Sequence, residues 1–158
     1  MRVSKFGDWT RAGVVLQALS TKITPAFSVQ LQEDGEFILE KLKGHIDSQD
    51  LSWTPLAKST IVLKNGDDTV YVETGYLRDH LKVRKVKSPK SGVTFFIGAS
   101  AWDRTPDGVK LSDLMIWLEY GTDKIPPRPL IRPTMEEVES TLKSNWKKII
   151  EDLIKGGK

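Results

Sequence analysis

Apolar positions recur at helical spacing toward both ends of the chain. Phe27, Leu31, Ile38, Leu42 and Ile46 follow one another at steps of four, seven, four and four. They form one stripe of an amphipathic helix running to about Asp47. Thr24-Pro25 supplies the start signal, a capping residue followed by proline at the first helical position. Gly35 weakens this helix locally by up to ~1 kcal/mol against alanine, which the periodicity outweighs. Ahead of it, Trp9, Val15, Leu16 and Leu19 stand at mixed helical spacings behind Asp8, a candidate N-cap, and predict a separate short helix from Asp8 to about Leu19. Toward the other end, Thr134-Met135-Glu136-Glu137 reads as a capping box. The helix it opens carries Val138, Leu142, Trp146, Ile149 and Leu153 as a second stripe, and Lys155-Gly156-Gly157-Lys158 closes the chain as a basic tail.

The middle is patterned differently. Trp53-Thr54-Pro55 leads into a short helical turn over Leu56 to Lys64, and Asn65-Gly66-Asp67-Asp68 is a turn. Thr69 to Val72 is β-prone but short, and Thr74-Gly75 precedes one helical turn over Tyr76 to His80. Leu81 to Lys87 places Leu81, Val83 and Val86 in an alternation that slips once, which predicts a bulge or an edge strand. Val93 to Ile97 is a second strand, and Ser88 to Gly92 the turn of the resulting hairpin. Ala99 to Lys110, with Trp102, Pro106 and Gly108, is an irregular loop. Leu111 to Tyr120 reads as a helix with Leu111, Leu114, Met115 and Leu118 on one face, stopped by Gly121. Ile125 to Pro133 holds four prolines in nine residues and is predicted to be extended. The expected architecture is a single α+β domain over residues 1–158, a small antiparallel sheet packed against long amphipathic N- and C-terminal helices.

Composition narrows the function classes. With 39% hydrophobic and 28% charged residues in 158, the chain can bury a core and is not of disordered type. No run approaches the ~20 apolar residues of a membrane span, and the start from Met1 to Gly7 lacks the apolar core of a secretory signal, so no export is expected. The absence of cysteine excludes disulfides, thiolate nucleophiles and sulfur-ligated metal. His45 and His80 each lack a second histidine at ligand spacing. No glycine-rich phosphate loop and no Gly-x-Ser-x-Gly elbow occur. Of the carboxylate pairs, Glu33-Asp34 and Glu151-Asp152 are expected on solvated helix faces, Glu136-Glu137 at a helix N-terminus and Asp67-Asp68 in a turn. No pair is selected for acid–base work, so the expectation is a non-enzyme with no catalytic, cofactor-binding or metal residues.

The net charge of +3 is unevenly spread. No acid lies between Asp79 and Asp103, while Lys82, Arg84, Lys85, Lys87 and Lys90 crowd onto the hairpin. Three roles are open to them: a solvated edge protected from aggregation by lysines, a grip on an acidic partner, or sequence-blind contact with DNA phosphates. Arg128 and Arg132 punctuate the proline arm and could clamp carboxylates, their own domain's or a partner's.

Three segments in order carry a family resemblance. They are Trp53-Thr54-Pro55-Leu56-Ala57-Lys58-Ser59-Thr60 with Lys64, then Thr74-Gly75-Tyr76-Leu77-Arg78, then the run Glu119-x-Gly121-Thr122 continuing through Pro126, Arg128-Pro129 and Arg132-Pro133. Together they resemble the signature of the tail-completion or head–tail joining proteins of tailed bacteriophages, also described as virion morphogenesis or minor tail proteins. The likeness covers Trp53 to Pro133, about half the chain. It implies a cofactor-free structural protein of the virion, assembled in the host bacterial cytoplasm. Such a protein forms a ring, often of six copies, at the neck or the top of the tail. Its partners would be itself, neighbouring neck and tail proteins, and non-specific DNA in the channel, with no membrane. Thr74, Gly75, Leu77, Arg78, Glu119, Gly121, Thr122, Arg128, Pro129 and Arg132 would fix the geometry around sheet and crossover, some of them at the subunit contact. Two features depart from the pattern: Leu130 stands where an aromatic is common, and the loop from Ala99 to Lys110 is long enough to reach a neighbouring ring. That loop and the proline arm are where order is expected to depend on partners. The alternative is a small basic nucleic-acid-binding protein with Phe95, Phe96 and Trp102 as a stacking platform.

Overall fold

The computed structural model describes residues 9–72, 75–87 and 93–155, with side chains from residue 23 onward except that of Lys87. In chain order the elements are α1 (Trp9–Ser48), α2 (Lys58–Leu63), α3 (Tyr76–His80), β1 (Lys82–Lys87), β2 (Val93–Gly98), α4 (Leu111–Tyr120) and α5 (Ile131–Lys155). The fold is α+β, a two-stranded antiparallel sheet with long helices at both ends.

Helices α1 and α5 pack antiparallel. Phe27 meets the edge of Trp146 at 5.0 Å between ring centres, Asn145 reaches Asp34 at 3.5 Å, and Lys41 reaches Glu137 at 2.6 Å. The hairpin lies on α1, where Gly35 makes room for it. A β-carbon there would stand 2.9 Å from Val83 Cγ1, so the glycine that weakens the helix is the seat of the strand. The core gathers Ile38, Leu42 and Ile46 of α1 with Leu77, Leu81, Ala99, Leu111, Leu130 and Val138. Ile46, Leu81, Leu111 and Leu130 are almost wholly removed from water, each such side chain contributing ~1.5–3 kcal/mol.

Most elements fall where the pattern of apolar positions puts them, and four details differ. The two N-terminal helices are one, a 40-residue helix with Pro25 inside it. A proline in a helix interior removes one hydrogen bond and crowds the preceding turn, but it does not force a break, and here the backbone continues through it. The Asp8 cap lies outside the described residues. Of the two readings of the slip, a bulge or an edge, the edge holds: β1 is an edge strand of a two-stranded sheet and pairs without a bulge from Lys82↔Gly98 to Lys87↔Val93. The apparent slip arises because Leu81 precedes the strand, while Val83 faces α1 and Val86 faces solvent. Residues 69–72 form no strand. Asp34 is not on a solvated face but is buried beside Gln30, whose Nε2 donates to its Oδ1 at 2.6 Å.

The fourth difference concerns α5, which begins at Ile131 rather than at the Thr134 capping box. Thr134 is fully buried inside the helix and its hydroxyl donates back to the Leu130 carbonyl at 2.6 Å. The extended arm is correspondingly shorter. Pro133 tolerates the first turn because its missing N–H is one that needs no partner there. The acceptors that the earlier start requires come from another helix.

Candidate functional site

Those acceptors belong to Glu119, at the end of α4. Its carboxylate is buried and takes three backbone N–H groups of the α5 start: Leu130 at 2.7 Å and Ile131 at 2.8 Å on Oε2, and Arg132 at 3.0 Å on Oε1. A helix N-terminus carries orphan donors and partial positive charge, and one carboxylate answers both. The chain between the two helices is bent to bring this about. Gly121 adopts φ 78° and ψ 176°, a region open essentially to glycine alone. A β-carbon there would also lie 2.9 Å from the Ile125 oxygen and from the Pro127 nitrogen. Thr122 closes the turn, its hydroxyl accepting from the amides of Lys124 and Ile125 at 3.2 and 3.1 Å.

The rest of the arm is locked to the segment before α2. Arg128 is buried and its guanidinium donates to the carbonyls of Thr54 at 2.7 Å and Pro55 at 3.0 Å. The expected carboxylate clamp is therefore a carbonyl clamp, and the planar fork suits two successive backbone oxygens. Trp53 Nε1 donates to the Pro129 carbonyl at 2.7 Å, and the Tyr71 hydroxyl donates to the Arg128 carbonyl at 2.6 Å. Tyr71 packs on Trp53 with ring centres 4.9 Å apart and planes tilted by 46°, and it holds a left-handed backbone with φ 65°, uncommon for a bulky residue. Burial, then the charge of Glu119, pushes its hydroxyl above the ordinary tyrosine range, so it remains a donor. Arg132 is exposed at the head of α5. The proline arm is thus engaged along its length by the chain's own contacts.

The second motif lies across the core. Gly75 caps α3 with φ 73°, and Leu77 is in the core; Thr74 lies outside the described residues. Arg78 grips Asp47 of α1 with two parallel bonds, Nε to Oδ1 at 2.5 Å and Nη2 to Oδ2 at 2.6 Å. The guanidinium holds the Asp47 carboxyl below its usual range. So Trp53, Tyr71 and the residues of the third segment meet in one hydrogen-bonded junction, while Arg78 ties α3 to α1.

The basic hairpin does not present one cationic face. Arg84 is exposed with its guanidinium 3.9 Å from Asp103, and Lys82 is exposed beside it in the sheet's outer row. Lys85 pairs with Phe95 in the row that faces α1, where its ammonium donates to Ser28 at 3.1 Å. Lys90 and the turn lie outside the described residues. The aromatic set is divided in the same way: Phe96 is outward and exposed, Phe95 inward. The loop from Ala99 to Lys110 is closed by its own bonds. Ser100 N donates to Asp103 Oδ2 at 3.0 Å, Thr105 N to the Val109 carbonyl at 2.8 Å, and Arg104 bridges Lys110. Trp102 at its tip is 89% exposed.

Three functional contacts escape a reading of the sequence. Gln49 holds both backbone groups of Val70, giving Nε2 to the carbonyl at 2.9 Å and taking the amide at 2.8 Å on Oε1. His45 is buried between two carboxylates, with Nδ1 2.7 Å from Asp50 Oδ1 and Nε2 3.0 Å from Glu137 Oε2. Asp34 is buried with no partner for Oδ2 among the described residues. No local signal marks any of them, since each depends on residues brought together by packing. Among the described residues no group of three or more histidines or carboxylates is placed to hold a metal ion, and no described helix is long and apolar enough to cross a membrane. No protein-family model matches the chain, nor does any curated protein or solved structure.

Proposed function

We propose that this chain is a structural subunit of a tailed-bacteriophage particle, acting at the neck or the top of the tail by self-association into a ring and by docking to adjacent neck and tail proteins. The observation that supports this is the junction itself. Two of the three segments that resemble the joining family, far apart in sequence, are spent on one another, with Trp53 on Pro129 and Arg128 on Thr54 and Pro55. Glu119 and Gly121 fix where α5 leaves that junction. Residues used this way are architecture, and a subunit that must present fixed surfaces to two neighbours needs its long helices held at set angles. DNA sliding through a channel should not be gripped, and a hairpin whose cations are divided between two faces suits that demand.

The test is native mass spectrometry of the purified chain, alone and with phage necks or tails that lack it. A closed ring, formed in solution or only on those particles, supports the joining role and gives the copy number. A chain that ignores the particles and binds oligonucleotides at physiological salt sinks it. The second reading, a small nucleic-acid-binding protein, draws on exposed Phe96 beside Arg84 and on Trp102. It predicts that Phe96→Ala and Trp102→Ala each weaken single-strand binding severalfold.

A further inference from the structure

Helix α5 carries, a quarter-turn from its core face, an open apolar groove of about 850 Å³. Met135, Leu142, Trp146 and Ile150 form its floor, and Met135 and Ile150 are each more than 40% exposed. A run of charges borders it. In chain order these are Arg132, Glu136, Glu139, Lys143, Lys147 and Glu151, so the signs read plus, minus, minus, plus, plus, minus. Read backward, the same series has the opposite sign at every place. On an α-helix Glu136, Lys143, Lys147 and Glu151 fall on one flank of the groove, while Arg132 and Glu139 continue the stripe of its floor, and in an antiparallel helix pair a flank meets the same flank of its mate. The border is therefore complementary to its own reverse.

We infer that this groove is an isologous docking surface whose occupant is α5 of a second copy of this chain, antiparallel, with the two-fold axis passing near Leu142. In that register Arg132 faces Glu151 of the partner subunit and Glu136 faces the partner's Lys147. Glu139 and Lys143, already paired at 2.5 Å within one helix, meet their symmetry mates as a four-charge cluster about the axis. Glu151 gives up or shares its 3.7 Å contact with Lys155. Met135 covers the partner's Ile150 and the reverse. The paired stretch runs ~30 Å at 1.5 Å per residue. A parallel arrangement of the two helices in register would set Arg132 against Arg132 and Lys147 against Lys147, so charge selects the antiparallel one.

A feature outside the groove fits the same register. Ile154 is 70% exposed on the last turn of α5 and covers nothing in its own chain's core. The antiparallel register carries it to the start of the partner's α5. There Met115, Ile116 and Tyr120 of α4 with Ile131 form a small apolar hollow of about 160 Å³. One side chain and one hollow thus meet twice across the axis, as an isologous contact requires. This inference does not rest on the phage reading.

The test is sedimentation velocity on the full chain in low salt. The native chain is expected to form a dimer. Glu136→Lys and Lys147→Glu, both on the exposed border, each reverse two symmetric contacts and should weaken it at least ~tenfold. The double variant Glu136→Lys/Lys147→Glu restores the pairing with signs exchanged and should return to within ~threefold of the native chain. Ile150→Glu should abolish the dimer, with an unchanged thermal unfolding midpoint for its monomer as the check on folding. A chain monomeric at ~100 μM overturns the inference, and so does a dimer that the single reversals leave intact or the double fails to rescue. A larger ring that survives Ile150→Glu overturns this surface while leaving the joining role standing. A rescued dimer that ignores phage necks supports this surface and removes that role.

Discussion

The crossover between α4 and α5 and the hairpin between α3 and α4 both drew attention as unusual sequence, yet they are built on opposite terms. In the crossover, polar groups are spent inside the molecule: Glu119 on three amides and Arg128 on two carbonyls. In the hairpin the cations are loosely engaged, Arg84 at 3.9 Å from Asp103 and Lys82 exposed. Charge density therefore does not rank the two regions. What separates them is whether removing a side chain leaves a buried group without a partner, which is expensive, or a solvated one, which is not.

Five substitutions at four positions test that contrast, the positions taken from the largest effect down. Glu119→Ala strands the amides at the head of α5, one of them buried, and should cost ~3–4 kcal/mol in denaturant unfolding. Glu119→Gln, which keeps one acceptor oxygen, should cost clearly less. If the two are equal, the capping account fails. Gly121→Ala should cost ~2–3 kcal/mol through its backbone angle and its clash, read from the same curves. Arg128→Lys keeps the charge but loses the fork and should cost ~2 kcal/mol, with a change in Trp53 fluorescence as the Pro129 contact loosens. Arg84→Ala should move stability by less than ~0.5 kcal/mol, and a larger loss would mean that the hairpin is more like the crossover than its geometry implies.

The ion pairs add a pH dimension. Asp47, held low by Arg78, and Glu137, held low first by its bond from Lys41, bind protons more readily unfolded than folded. Their contribution is fully present above the ordinary carboxylate values of 3.8 and 4.5. It is lost as pH falls through the depressed folded values. Both groups are exposed to solvent, so screening keeps the contribution small. Asp47→Asn should flatten the acid limb of a stability-versus-pH curve and leave the limb above pH ~6 parallel to that of the native chain.

What was legible in the sequence follows the range of each interaction. The stripe of Ile38, Leu42 and Ile46, the α4 face and its stop at Gly121 are local, and periodicity or one backbone angle suffices to read them. Pro25 misled because the same residue opens one helix and interrupts another, and only the continuing backbone decides. Thr134 misled because a capping box is a local pattern, and Glu119 supplied the cap from eleven residues before Leu130. Asp34 looked solvated because its burial depends on Asn145 of a helix at the far end of the chain. The motif residues were visible as unusual, but their partners, Thr54, Pro55 and the α5 amides, were not. A backbone carbonyl or amide has no sequence signature.

The junction at Arg128 and Trp53 also bears on how the chain folds. Its bonds join positions 73 to 76 residues apart, so forming them closes a loop containing α2, α3, the hairpin and α4. The entropy of that closure is spent before the contacts repay it. Bonds of this range are expected to form on the native side of the rate-limiting barrier. Weakening them then hastens unfolding and leaves the refolding rate nearly untouched. The crossover would then be a latch on the lifetime of the folded state: Arg128→Lys is expected to unfold faster in stopped-flow measurements and to refold at the native rate.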